Sequence, residues 1–298
     1  MNEVVLTGID GSNPLGFFAA LGVLAVLTDR GVAARLQWRD EGVWRPIFDG
    51  FDGELDAVVA WIDEDRASCI DEAAIRLEYD GKRDLKPPPA RFRRYLKDLR
   101  AEAEPGRRRG VDWASAFATD VVVDNNGNTK PTALHFTAGQ QQFLKMVRDL
   151  AEGVTREDVE EALMGPWRYQ RPLPVMGWDA TMARDYALRA SDPSGDKKLG
   201  VPGADWLAVR GLTFLPVAPV GRRVWTTGCV GGWKTGRFRW GLWTVPLGRE
   251  VVRSTVQLDM EAMGAYEREA RGIGTVFSCG IKRSDQGGYG TFVPATVV

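Results

Sequence analysis

Between Asn13 and Leu27 the chain reads Asn-Pro-Leu-Gly-Phe-Phe-Ala-Ala-Leu-Gly-Val-Leu-Ala-Val-Leu, and after Asn13 no position carries a polar side chain. A helix with no hydrophilic face must be covered on every side. The run from Leu15 to Leu27 is too short to span a bilayer and contains Gly16 and Gly22, so it reads as a buried helix. Asn13 can cap it, Pro14 suits its first position, and Gly31 suits a C-terminal cap. The 298 residues, 44% of them hydrophobic, can build the core this helix needs, as one large domain or two modest ones. Met1-Asn2-Glu3 has no basic n-region, and Cys69, Cys229 and Cys279 lie far apart without CxxC spacing. The expectation is a soluble cytoplasmic protein with no membrane association, no disulfide framework and no thiolate zinc site.

The elements around this helix predict an α+β fold, with mixed or antiparallel sheets, packed helices and a Gly/Trp-rich, β-containing C-terminal half. Val4 to Leu6, Arg35 to Arg39 and Val43 to Phe48 read as strands, and Gly53 to Asp65 as an acidic amphipathic helix, giving a β-α-β-β-α opening. Lys86-Pro87-Pro88-Pro89 must be extended, and Arg91 to Glu104 then places Phe92, Tyr95, Leu96 and Leu99 at helical spacing. A strand is expected at Val121 to Asp124, a long helix from Thr137, and a second one capped by Thr155 with Asp158. Further on come strands at Arg223 to Thr227 and Arg237 to Thr244, a charged helix around Met260 to Arg271, and a terminal hairpin from Thr275 to Lys282 and Tyr289 to Val293. Gly165 to Pro174 is the best boundary candidate, dividing an N-terminal region, 1–165, from a C-terminal one, 166–298, unless the two form one continuous domain.

The net charge of −1 conceals segregation. From Asp40 to Asp80 there are 13 acidic and 3 basic residues; from Asp80 to Arg109 there are 11 basic and 5 acidic. A surface patch of one sign attracts a polyanion whatever the pI. Lys82, Arg83, Lys86, Arg91, Arg93, Arg94, Arg107, Arg108 and Arg109 are therefore the first candidate contacts to nucleic acid, with a solvated helix face as the plain alternative. A second set, Arg222, Arg223, Lys234, Arg237 and Arg239, is free of acidic neighbours and interleaved with Trp225, Trp233, Phe238 and Trp240. Here the cations are expected to face ligand and the aromatic rings mostly to pack. Asn125, Asn126 and Asn128 with Lys130 form a polar loop that could read base edges or simply turn the chain, and Lys197 with Lys198 form a weaker basic site.

Only one histidine is present, which excludes on count the metal and nuclease centres that need several imidazoles. Neither a GxGxxG nor a Walker phosphate loop occurs, and the acidic clusters read as solvated helix faces, so no cofactor, no metal and no catalytic residue are expected. A hydrolase using His135 with Asp179 or Asp185 is the competing enzyme class, and a scaffold that contacts only protein is a third.

Asn13 to Leu27, His135-Phe136-Thr137-Ala138-Gly139-Gln140-Gln141-Gln142-Phe143-Leu144, Gly177-Trp178-Asp179, Asp185-Tyr186-Ala187-Leu188-Arg189, Gly203-Ala204-Asp205-Trp206-Leu207-Ala208 and Leu215-Pro216-Val217-Ala218-Pro219 together resemble, in matching order, subunits of type I-G (formerly I-U) CRISPR interference loci. The resemblance implies a non-enzymatic subunit of a crRNA-guided, Cascade-type surveillance complex, similar in role to the large subunit. Its implied partners are crRNA, target double-stranded DNA, the other interference subunits and a helicase-nuclease recruited in trans. Its implied tasks are recognition of the protospacer-adjacent motif and stabilisation of the R-loop, sequence being read by guide pairing. The chain is short for a large subunit, which leaves an accessory role open.

Overall fold

The computed structural model describes residues 3–103, 108–182, 199–284 and 289–298. Helix α1 (Pro14–Asp29) lies at the centre, and every residue from Pro14 to Leu27 is buried. Asn13 caps it by accepting from the Leu15 N–H, while its own amide donates to Asp179 at 2.8 Å. The chain runs through β1 (Val4–Val5), α1, β2 (Arg35–Asp40), β3 (Trp44–Asp49) and α2 (Leu55–Cys69), which is the expected opening. It continues through α3 (Pro89–Glu102), α4 (Arg109–Phe117), β4 (Ala118–Val123), β5 (Thr129–Pro131), α5 (Phe143–Gly153) and α6 (Arg156–Met164). Beyond these come α7 (Pro202–Gly211), β6 (Val217–Val220), β7 (Arg223–Thr226), β8 (Cys229–Val230), β9 (Arg237–Trp243), β10 (Leu247–Gly248), α8 (Arg249–Thr255), α9 (Ala265–Ala270), β11 (Ile273–Arg283), β12 (Gly290–Phe292) and β13 (Thr296–Val297).

Among the described residues all pairs of named strands are antiparallel. One sheet has the order β1-β3-β2-β10, a second has β12-β11-β9-β8 with β13 also on β11, and β4–β5 and β6–β7 are separate hairpins. The two larger sheets enclose α1. Phe17 lies 6.1 Å from Trp38 of the first and 6.0 Å from Trp240 of the second. On another side α1 meets α7 almost backbone to backbone: a Cβ on Gly22 would sit 1.9 Å from the Leu207 carbonyl oxygen, and one on Gly211 2.1 Å from that of Phe18. All ten residues of α7 are buried. Residues on both sides of the Gly165–Pro174 linker thus share one core: β10 pairs with β2, and the indoles of Trp240 and Trp243 donate to Gly11 and Leu36 carbonyls at 2.8 and 2.6 Å.

Two expected helices begin elsewhere. Thr137 does not open a helix, because Gly139 turns the chain at φ +62° and α5 starts only at Phe143. The charged helix near Met260 is reduced to α9, because Met260 is drawn into a small apolar cluster with Ile273 and Val276 while an Asp259–Ala262 turn precedes Gly264. Thr155 and Asp158 form a full capping box on α6, as their spacing indicates.

An internal ion network ties the helices together. The fully buried Arg210 of α7 donates to Asp65 and Asp29, each at 2.8 Å. Arg249 joins Asp29 to Asp112, and Arg253 donates to Asp112 at 2.9 Å. Burial alone would raise the Asp29 carboxyl, but Arg210 and Arg249 outweigh it and hold it below the usual carboxylate range.

Candidate nucleic-acid interface

Helix α3 forms because the two prolines before it fix an extended entry and Pro89 sits where a missing N–H costs nothing. It buries Phe92, Tyr95 and Leu99, and the Tyr95 hydroxyl donates to the Ala74 carbonyl at 2.7 Å. The apolar stripe leaves Arg93, Arg94, Lys97 and Arg100 exposed on the outer side, with Arg91 half-buried. Arg93 is engaged by Asp120 of β4 at 2.8 Å. Among the described residues Arg91, Arg94, Lys97 and Arg100 meet no carboxylate. The Thr129 N–H donates to the Pro87 carbonyl at 2.9 Å, so Lys86 and Lys130, both half-buried, flank the joint between the α3 entry and the β4–β5 hairpin. Lys82 is exposed nearby in sequence, and Arg83 pairs with Glu78 at 3.2 Å.

The end of the basic segment turns inward. Arg109, whose side chain is 12% exposed, pairs with Glu72 at 2.8 Å and with Asp65 at 3.2 Å, joining the ion network rather than the outer face. Arg108 is exposed and 3.7 Å from Asp112. Arg107, Lys197 and Lys198 lie outside the described residues, as does Asp185.

In the second set, Arg222 and Arg223 are exposed at the tip of the β6–β7 hairpin without a carboxylate partner among the described residues. Arg239 is held by Asp259 at 3.1 Å and by Glu261, and Arg237 lies 3.9 Å from Glu261. Lys234 is exposed in the β8–β9 turn. Phe238 and Trp240 pack in the core, whereas Trp225 and Trp233 are 37% and 61% exposed. The Arg283 guanidinium lies 4.2 Å from the Trp233 ring centroid and 5.3 Å from that of Phe136, and it donates to the Ala133 and His135 carbonyls. Burial lowers it to about 10.

The asparagine loop has an organiser that composition did not single out. One Asp124 carboxylate oxygen accepts from the Asn126 and Asn128 N–H groups at 2.9 and 3.0 Å, and Gly127 takes φ +78°. Asn125 and Asn126 are exposed, and Asn128 is half-buried.

His135 is buried, and its Nε2 lies 2.9 Å from both the Asp84 carboxylate and the Thr137 hydroxyl. A nucleophile–base–carboxylate relay uses the two ring nitrogens separately; here both partners share one. Burial drives the imidazole below its usual pKa against the pull of Asp84. Burial opposes ionisation of Asp84 as well, but bonds from His135 and the Phe143 N–H outweigh it and hold the carboxyl low. Asp84 thereby also caps the start of α5 across the fold. Asp179 is not the partner of His135: it accepts from Asn13, Tyr169 and Thr181. Among the described residues no group of three or more histidine, cysteine or acidic side chains is placed to hold a metal ion, and no helix is long and apolar enough to cross a membrane. No family model matches the chain, and no characterised protein is similar enough in sequence to show a relationship.

Proposed function

We propose that this chain is a non-enzymatic, nucleic-acid-binding subunit of a type I-G CRISPR surveillance complex, acting in the cytoplasm with crRNA, target DNA, the other interference subunits and a helicase-nuclease recruited in trans. The observation that carries the reading is the outer face of α3. Its sequence holds five cations against two acidic residues, and Arg91, Arg94, Lys97 and Arg100 are free of carboxylates among the described residues while Arg109 and Arg239 are consumed by internal pairs. Arginine on a rigid helix suits phosphate, because its planar donor fork needs little further ordering. The ordered resemblance of the Asn13–Leu27, His135–Leu144 and Gly203–Ala208 segments supplies the complex, and the neighbouring asparagine loop supplies side chains able to read a motif.

Replacing Arg94, Lys97 and Arg100 together by Gln tests it in the assembled complex. Loss of three phosphate contacts should weaken binding to every target and reduce the slope of log K against log salt by about 2 to 3. An unchanged slope refutes the assignment of these cations. Purification from the native host should bring guide RNA and other subunits with the chain. The second reading, a scaffold that contacts only protein, is favoured by Val121 and Val220, which are 66% and 61% exposed on the two neighbouring hairpins. It requires the charge variants to assemble and bind target normally.

A further inference from the structure

Between the β6–β7 hairpin, strand β9 and the 256–261 segment lies a cleft of about 190 Å³ that the basic face of α3 does not use. Its walls are largely apolar, with Phe17, Leu215, Phe238 and Trp240 on one side. An apolar cavity of about 150 Å³ suffices to hold benzene, so an open cleft of this volume has room for one six-membered ring. Trp225 lines the mouth, more than a third exposed, and no ring or cation among the described residues stacks on it. At the rim the Arg239 guanidinium is fixed between Asp259 and Glu261. The rim therefore offers two carboxylates beside one guanidinium, acceptors and N–H donors together, the mixture that a heteroaromatic edge can use.

Arg223 decides what kind of ring belongs there. Both it and Trp225 are exposed on β7, two residues apart, which puts them on one face of the strand at a spacing of roughly 6.6 Å. Arg222 adjoins it at the hairpin tip. An apolar slot for a ring, with cations beside it that meet no carboxylate among the described residues, matches a base attached to its own phosphate. An aromatic side chain of a protein partner would fill the slot but leave the arginines unused.

We propose that this cleft holds one unpaired, single-ring base of a bound strand, stacked on Trp225, with the adjoining phosphate on Arg223 and Arg222. The inference rests on the chain binding nucleic acid, as proposed above. It is tested with short single strands of equal length, one of oligothymidylate and one of abasic deoxyribose-phosphate, measured by anisotropy against the wild-type chain, Trp225→Ala and Trp225→Phe. Melting temperatures check that the variants fold.

One stacked base is worth a factor of about 5 to 150 in affinity. The wild-type chain should prefer oligothymidylate, Trp225→Ala should cut that preference by such a factor while leaving the abasic strand's affinity unchanged, and Trp225→Phe should restore most of it. Arg223→Gln should weaken both strands. Full retention of the preference in Trp225→Ala overturns the pocket assignment and leaves the wider reading standing, as does equal wild-type affinity for the two strands. A parallel loss on both strands in Trp225→Ala shows a structural role for the ring and also overturns it. Failure of both strands to bind at low salt overturns the wider reading and this one together.

Discussion

Asp205 should make the protein less stable as pH rises, and Asp205→Asn should remove that dependence. The carboxyl is fully buried in α7; one oxygen accepts the Met176 N–H at 3.1 Å, and the other has no partner among the described residues. Burial raises its pKa from 3.8 to about 8, the Asp179 carboxylate adding to the rise and the Met176 bond opposing it. The unfolded chain therefore releases this proton near its ordinary carboxylate value, while the native protein keeps it to about pH 8. Between those values unfolding releases one proton, so native stability falls by about 1.4 kcal/mol per pH unit. Near pH 7 the accumulated cost is about 4 kcal/mol, from roughly three units at that slope. Asparagine keeps the acceptor for Met176 and cannot ionise, but it adds an amide donor to the unpartnered position at about 1–3 kcal/mol. The net expectation is a gain of about 1–3 kcal/mol near neutrality that vanishes or turns to a loss near pH 4, read by urea unfolding of both proteins across that range. Parallel stability profiles for the two would refute a protonated Asp205.

Leu24→Ala removes a fully buried side chain from α1 and should cost about 2–5 kcal/mol in chemical unfolding; an unaltered midpoint would mean the helix is not covered. Gly22→Ala should cost at least about 1–3 kcal/mol by overpacking, since its Cβ would lie 1.9 Å from the Leu207 carbonyl oxygen, and native melting behaviour would contradict the close approach of α1 and α7. Asn126→Ala should weaken binding of the assembled complex to motif-bearing duplex by about 1–3 kcal/mol if a bidentate base contact is lost; equal losses with and without the motif leave the loop as an ordinary turn. The purified chain with magnesium or manganese should leave single- and double-stranded DNA intact, and cleavage abolished by substituting an acidic cluster would contradict the non-enzymatic reading.

The parts of the fold visible in the sequence are those whose signal is local. Asn13-Pro14 marks the start of α1, Thr155 and Asp158 are three residues apart, and the stripe of Phe92, Tyr95 and Leu99 separates core from cations on α3. Helix α7 lacks such a signal because it is buried all round, so it has no amphipathic period, and Asp205 and Arg210 look like surface residues until Asp65 and Asp29 are brought to Arg210. The same limit governs the candidate site. Whether a given arginine faces solvent depends on distant carboxylates: Arg94 meets none among the described residues, whereas Arg109 meets Glu72 and Asp65 of the preceding acidic segment. Part of the charge segregation that suggests a polyanion is thus spent inside the molecule. Asp84, 51 positions from His135, could be found only by folding the chain.

The backbone contact of α1 with α7 also sets a problem for biosynthesis. Gly22 must wait for Leu207, which follows it by 185 residues. At about 5–20 residues per second, an entirely apolar helix stands without its cover for on the order of ten to forty seconds on the ribosome. Trp240, which closes it from another side, arrives later still. The chain should therefore depend on a holding chaperone during translation, and variants that slow or weaken α7 should be lost to aggregation at the nascent stage before any defect in nucleic-acid binding can be observed.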